Sequence, residues 1–193
     1  MTFRVSGYII SLIFFLNCAV YVQRNSPERT SSLYTGTNNQ LNFPNDVLGT
    51  YKGNLTIYTS EGVEIVPMSF NLDSTAVKEE YDYIITYNIN QVPQKRAYTL
   101  IAKNEATGDY IIDENNGIIL DAKVIENRLI TIFEVNSNLL TTNLYFYQDY
   151  LLFEITSSAI TAKNKSETDG NKPTIAVFSY PINTVQSAKL YKQ

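Results

Sequence analysis

The sequence predicts an all-β protein, an antiparallel up-and-down barrel of about 8–10 strands. Three observations point there. From about Val47 onward, segments alternate apolar and polar residues, the period-two signature of a half-buried strand. The segments are joined by short polar turns. Among these, Asn116-Gly117 between Tyr110-Ile111-Ile112 and Ile118-Ile119-Leu120 reads as a hairpin, because Asn and Gly tolerate the positive φ that a tight turn demands. Finally, 15 tyrosines and no tryptophan accompany many β-branched residues, a composition suited to pleated surfaces. Short turns make sequence neighbours spatial neighbours. A meander of this many strands loses its exposed edges by closing, which favours a barrel over a two-sheet sandwich.

Arg4 precedes an apolar stretch from Val5 to Leu16 that contains IISLIFFL. A positive start followed by such a run has the form of a secretory signal. It is short for a membrane span, although extension through Val22 would lengthen it toward one. Residues 1–18 are therefore expected to be a signal peptide or anchor, with Cys18 as a candidate lipidation site. The bland reading is an ordinary cleavage site near Ala19, and an uncleaved anchor is the third. All three place the protein outside the cytoplasm, in the cell envelope. Residues 19–46 are rich in Ser, Thr and Asn. They read as a flexible tether, since such segments bury too little surface to offset ordering. Residues 47–193 are then the barrel domain.

Within that domain, Gly49 to Tyr58 alternates, with Tyr51, Gly53, Leu55 and Ile57 on one face. Ser60-Glu61-Gly62 turns the chain. Val66, Met68, Phe70 and Leu72 align on the next strand, where Pro67 signals an edge or a bulge. Ser74 to Glu80 has room for one helical turn. Tyr81, Tyr83, Ile85, Tyr87 and Ile89 form a third face, and Arg96, Tyr98 and Leu100 a fourth. The Asn-Gly hairpin supplies two more strands. Leu129, Thr131, Phe133 and Val135 follow, then an alternating run from Leu139 to Tyr147, then Leu151, Phe153 and Ile155. Ser157 to Pro173 reads as a polar loop, Thr174 to Tyr180 as an apolar segment, and Thr184 to Tyr191 as the strand that closes the sheet.

Composition excludes several chemistries. The net charge is −4 and the pI near 4.9, without the basic footprint that nucleic acid requires. Histidine is absent, which removes imidazole bases and imidazole metal ligands. A single cysteine precludes an internal disulfide or a thiolate zinc cluster. No metal or cofactor is expected.

The opening Gly49-Thr50-Tyr51 resembles the Gly-x-Trp that begins the calycins, the lipocalin and fatty-acid-binding group, with Tyr in the Trp place. Gly49 to Ile155 also resembles uncharacterised bacterial envelope lipoproteins that share a GTxxG start and a DExNGI hairpin. The Cys18 region resembles a lipobox, although Phe15 and Asn17 stand where Leu and a small residue are usual. The calycin resemblance implies a calycin-like barrel around a cavity for a small apolar or amphipathic ligand.

Tyr51, Tyr83, Tyr87, Arg96 and Tyr98 are the candidate ligand-binding residues. A guanidinium aimed into a barrel is costly unless a carboxylate or ligand anion pairs with it. Fatty-acid-binding barrels hold a carboxylate with Arg-x-Tyr, but on a late strand; here the pair is on the fourth. The bland alternative puts Arg96 at a strand end beside a surface acid and the tyrosines in the core with their hydroxyls at a rim. Asp113, Glu114 and Asp121 could serve as paired carboxylates for glycoside hydrolysis or as oxygen ligands for calcium. More simply, they flank a turn and bond local backbone. The expectation is an exported, lipid-anchored, non-catalytic envelope protein that binds a small amphipathic ligand. The alternatives are a structural or interaction module of the envelope and, behind it, a carboxylate-based hydrolase.

Overall fold

A computed structural model of the chain describes residues 41–170 and 174–193. The signal or anchor, Cys18 and most of the tether lie outside the described residues. The described residues form twelve strands: β1 (Gly49–Thr59), β2 (Gly62–Ser74), β3 (Glu80–Ile89), β4 (Val92–Asn104), β5 (Asp109–Asp113), β6 (Ile119–Ile125), β7 (Arg128–Val135), β8 (Asn138–Phe146), β9 (Tyr150–Ala159), β10 (Asn164–Glu167), β11 (Ala176–Ser179) and β12 (Ile182–Lys192). Ten of them close an antiparallel barrel in the order β1-β12-β9-β8-β7-β6-β5-β4-β3-β2, and β10 and β11 pair as a separate two-stranded sheet. The up-and-down barrel expected from the alternating pattern is the observed fold.

The alternation sorts the side chains as period two requires. Tyr51, Phe70, Leu100, Leu129, Leu144, Phe146, Leu151, Phe153 and Leu190 are fully buried in one interior cluster. Closure depends on β1 lying against β12 from Tyr51↔Lys192 to Thr59↔Thr184. At Gly53 the two backbones come so close that a Cβ would stand 2.5 Å from the Lys189 carbonyl oxygen, so only glycine fits there.

The two ends differ. At the end where β1 begins, the chain before it is drawn into the core. Val47 is buried, and Leu41, Phe43 and Leu48 pack against the cluster. Phe43 meets Tyr110 edge-on with ring centroids 5.4 Å apart and lies 5.5 Å from Phe146. The domain therefore starts by residue 41. The tether expected over residues 19–46 includes Leu41 and Phe43, because two apolar residues in a polar stretch show no periodicity. At the opposite end the inward side chains of β1 and β4 grow more exposed, while Leu140, Ser157 and Thr184 across the barrel stay buried. Along β1, Tyr51 and Leu55 are buried, Ile57 is half-buried and Thr59 exposed; along β4, Leu100 is buried, Tyr98 half-buried and Arg96 exposed. The barrel is packed shut at one end, and at the other its inner surface is uncovered on the β1–β4 side, as a shallow, one-sided cup.

Three local expectations are corrected. The Asn-Gly turn is a five-residue loop, 114–118, in which Asn115 (φ 58°) and Gly117 (φ 95°) take positive φ and Asn116 does not. Asx bonds explain it, since Asn115 N donates to Asp113 Oδ1 at 2.7 Å and Ile118 N to Asn116 Oδ1 at 3.0 Å. Residues 75–79 form a turn rather than a helical one. Thr75 Oγ1 accepts from Val77 N at 3.0 Å and donates to the Glu80 carbonyl at 3.1 Å, and such hydroxyl bonds compete with helix. The polar loop expected from Ser157 is instead the end of β9, a 3₁₀ turn and the β10–β11 hairpin. Pro67 does mark an edge: the β2–β3 ladder begins only at Met68↔Tyr87, so the start of β2 bonds to β1 alone.

Candidate functional site

The open end gathers most of the predicted ligand residues. The β3–β4 register sets Tyr83 opposite Tyr98, Ile85 opposite Arg96 and Tyr87 opposite Gln94. Tyr87 is thus diagonal to Arg96 on the same inner face, within reach of long side chains. Tyr83 is buried, edge-on to Phe70 at 4.9 Å and stacked with Tyr98 at 6.2 Å. It forms the floor on which Tyr98 rests. Tyr87 and Tyr98 are half-buried above it, and Arg96 is at the rim.

Tyr51 does not join them. Period two sets its inward face, but periodicity does not say which end of a strand reaches solvent. It is fully buried beside residues 41–48, which plug the closed end, and its hydroxyl donates to the Val47 carbonyl at 2.6 Å.

The electrostatics suit an anion. Burial pushes the Tyr87 phenol up to about 12, against the nearby Arg96 charge. Burial also raises Tyr98; the Arg96 guanidinium opposes that rise and Glu114 adds to it. Both phenols are therefore neutral donors at neutral pH, beside a permanently charged guanidinium. Among the described residues no carboxylate lies within 4.0 Å of Arg96. An oxyanion at the rim would meet three donors and a full positive charge.

The carboxylates are differently employed. Asp113 accepts from Asn115 N, and Glu114 Oε2 accepts from Asn116 Nδ2 at 3.2 Å. Asp121 points from the outer face of β6 toward Lys103 at 3.7 Å, its side chain 94% exposed. The three do not converge on one cleft. Among the described residues no group of three or more acidic or sulfur side chains is placed to hold a metal ion.

Among the described residues, a hollow of about 200 Å³ lies at the lip of the cup between Ile57, Thr59, Glu61, Gly62, Val63 and Glu64. A larger hollow, of about 550 Å³, is a trough on the outer wall crossed by the Lys123–Asp109 ion pair at 2.7 Å. Sequence reasoning missed the outer trough, because outward residues of a strand carry no signal beyond polarity. It also missed that Asn115 Nδ2 reaches back to the Ala97 carbonyl at 3.1 Å.

No family model matches the chain, and no curated protein matches it. Among solved structures, the S-type phycobiliprotein lyase from Guillardia theta is similar in fold, with a TM-score of 0.52 and 8% identity. The similarity covers 77% of this chain and 89% of that one. It is consistent with the calycin-like barrel expected from Gly49-Thr50-Tyr51. The likeness to bacterial envelope lipoproteins receives no support from these comparisons.

Proposed function

We propose that this barrel is a non-catalytic binding module whose ligand is a small amphipathic anion, a molecule with a carboxylate or similar head and an apolar body. The observation that carries the reading is Arg96, without an ion-pair partner among the described residues, at the rim of an open cup beside two neutral phenols. Arg96 is exposed there, with Tyr98 and, beyond ion-pair distance, Glu114 acting on it, so an oxyanion arriving from solvent can meet the guanidinium directly. Half-buried Ile57, Phe133 and Ile155 on the same inner surface offer the apolar body a place to rest. A lyase of the same fold means that the fold by itself does not speak against chemistry. The non-catalytic reading rests on the dispersed carboxylates and their turn bonds. Export, with Cys18 lipidated and residues up to about 40 as leader and tether, is part of the same proposal and rests on the N-terminal sequence.

Native mass spectrometry of gently purified protein tests the ligand. The expected result is a co-purifying small anion that disappears in Arg96→Met. A protein free of bound molecules, with no affinity for a long-chain carboxylate, would remove the reading. Cys18→Ala with cell fractionation tests the anchor; release of the variant from the membrane fraction is expected. The packed lower interior favours a second reading, an interaction module of the envelope that takes no small ligand. Capture of a protein partner by a ligand-free barrel would distinguish it.

A further inference from the structure

The β1–β2 hairpin stands taller than the β3–β4 hairpin beside it. β1 and β2 pair all the way to Thr59↔Gly62, whereas the β2–β3 ladder begins only at Met68↔Tyr87. Pro67 has no N–H to give a partner, and from there back to Gly62 the outer edge of β2 has no neighbour among the described residues. Such an edge offers its N–H and C=O groups to an added strand. Its two faces differ. Val63 and Ile65 point outward and are 63% and 64% exposed. Gly62 and Glu64 lie on the other face, at the lip hollow that Glu61 also lines. A charge on the inner face of an edge repels an ordinary apolar strand, but it suits a strand that brings a cation.

The molecule carries a strand of that kind. β11 (Ala176-Val177-Phe178-Ser179) is uncharged and β-prone. It bonds to β10 on one side and, among the described residues, to no strand on the other. Its ribbon has two unlike faces. Ile175 and Val177 share one and are about half exposed; Phe178, on the other, stands opposite Lys165. Lys165 is held by Glu167. Lys163 instead leans across the ribbon, its Nζ 4.9 Å from the Phe178 ring centroid. Among the described residues no ion-pair partner lies within 4.0 Å of Lys163, Glu61 or Glu64. A two-stranded ribbon alone is marginal in water, so this one gains from a sheet to join.

We propose that β11 of one copy adds to the Gly62–Val66 edge of a second copy, and that two such contacts about a two-fold axis close a dimer. Because side chains alternate, one orientation satisfies both faces at once. Val177 and Ile175 continue the outer strip of Val63 and Ile65, while Phe178 turns to the lip and brings Lys163 to Glu61 and Glu64. The chain's own β11 cannot serve, because only Tyr180 and Pro181 link it to β12, and β1 stands between β12 and β2. The edge is short, so the contact is small and the dimer weak, in the micromolar range. This pairing is independent of the ligand reading above.

The test is sedimentation of the full chain over a micromolar concentration series, in a mild detergent that keeps the apolar N-terminal stretches apart. A monomer–dimer equilibrium is expected. Ile65→Lys, at an outward and exposed position, should raise Kd about tenfold or more. Glu64→Lys and Lys163→Glu should each raise it about fivefold and together restore it. Crosslinking gives a second readout in a Cys18→Ser background. A short bismaleimide should join a copy carrying Ile65→Cys to one carrying Val177→Cys, and should not join either to one carrying Ile125→Cys at the closed end. A chain that stays monomeric throughout overturns the proposal. So does a dimer indifferent to Ile65→Lys and to the charge exchange, or one without the Ile65→Cys to Val177→Cys crosslink. A monomer that sediments with phosphatidylcholine vesicles, and ceases to in Ile65→Lys, would make this edge a lipid contact and overturn it as well.

Discussion

Among single residues, Tyr51 joins the plug to the barrel. Its hydroxyl bonds the Val47 carbonyl, and its ring lies 6.2 Å from both Phe70 and Phe146. Tyr51→Phe keeps the ring and strands that buried carbonyl, so urea unfolding should show a loss of about 1–3 kcal/mol. Full retention of stability would mean that water replaces the bond and that the plug is held by Phe43 and Val47 alone. Arg96 is the opposite case. Its face was readable from Tyr98 and Leu100 on the same strand. That it sits at a rim was not, because rim height depends on how far β3 and β4 outrun their neighbours, and this is a property of registers between strands.

For whole elements, legibility followed the alternating pattern. β1, β3, β7 and β9 carry uninterrupted inward rows such as Tyr81-Tyr83-Ile85-Tyr87, and each lies where its pattern put it. The pattern failed where local side-chain bonds decide the backbone, as at Asn115 and Thr75, and where an element lacks a buried face. The β10–β11 hairpin is such an element: its eight strand residues are all exposed, and alternation cannot announce a face that packs on nothing. A lone two-stranded ribbon adds little stability of its own. Replacing Asn164–Ser179 by a short linker should leave the barrel intact and shift its unfolding free energy by less than about 1 kcal/mol. Loss of the native fold would show that the hairpin braces the outward-facing but buried Leu139 and Ser158. The N-terminal plug was missed for a related reason, since Leu41 and Phe43 act through tertiary packing and not through a repeat.

For the molecule as a whole, a tyrosine-rich interior gives stability an alkaline limit. Burial pushes Tyr51, Tyr87 and Tyr110 up to about 12 and raises Tyr83 as well, whereas an unfolded phenol ionises near 10. Above about pH 10 the unfolded chain releases protons that the folded barrel keeps, so stability is complete below that pH and falls as pH climbs toward about 12. Urea midpoints measured from pH 8 to 12 should decline over that window, with tyrosinate absorbance lagging until the fold gives way. Buried phenols that ionise near pH 10 with no loss of midpoint would contradict the packed interior. The same closed architecture also has a consequence in time. Because β1 pairs with β12, the last strand, the earliest part of the meander leaves the ribosome with one flank bare and stays so until Ile182–Lys192 follow. Truncated products that stop before Ile182 would expose raw flanks on both β1 and β9, and nascent chains of this kind are the ones expected to clump or to recruit chaperones.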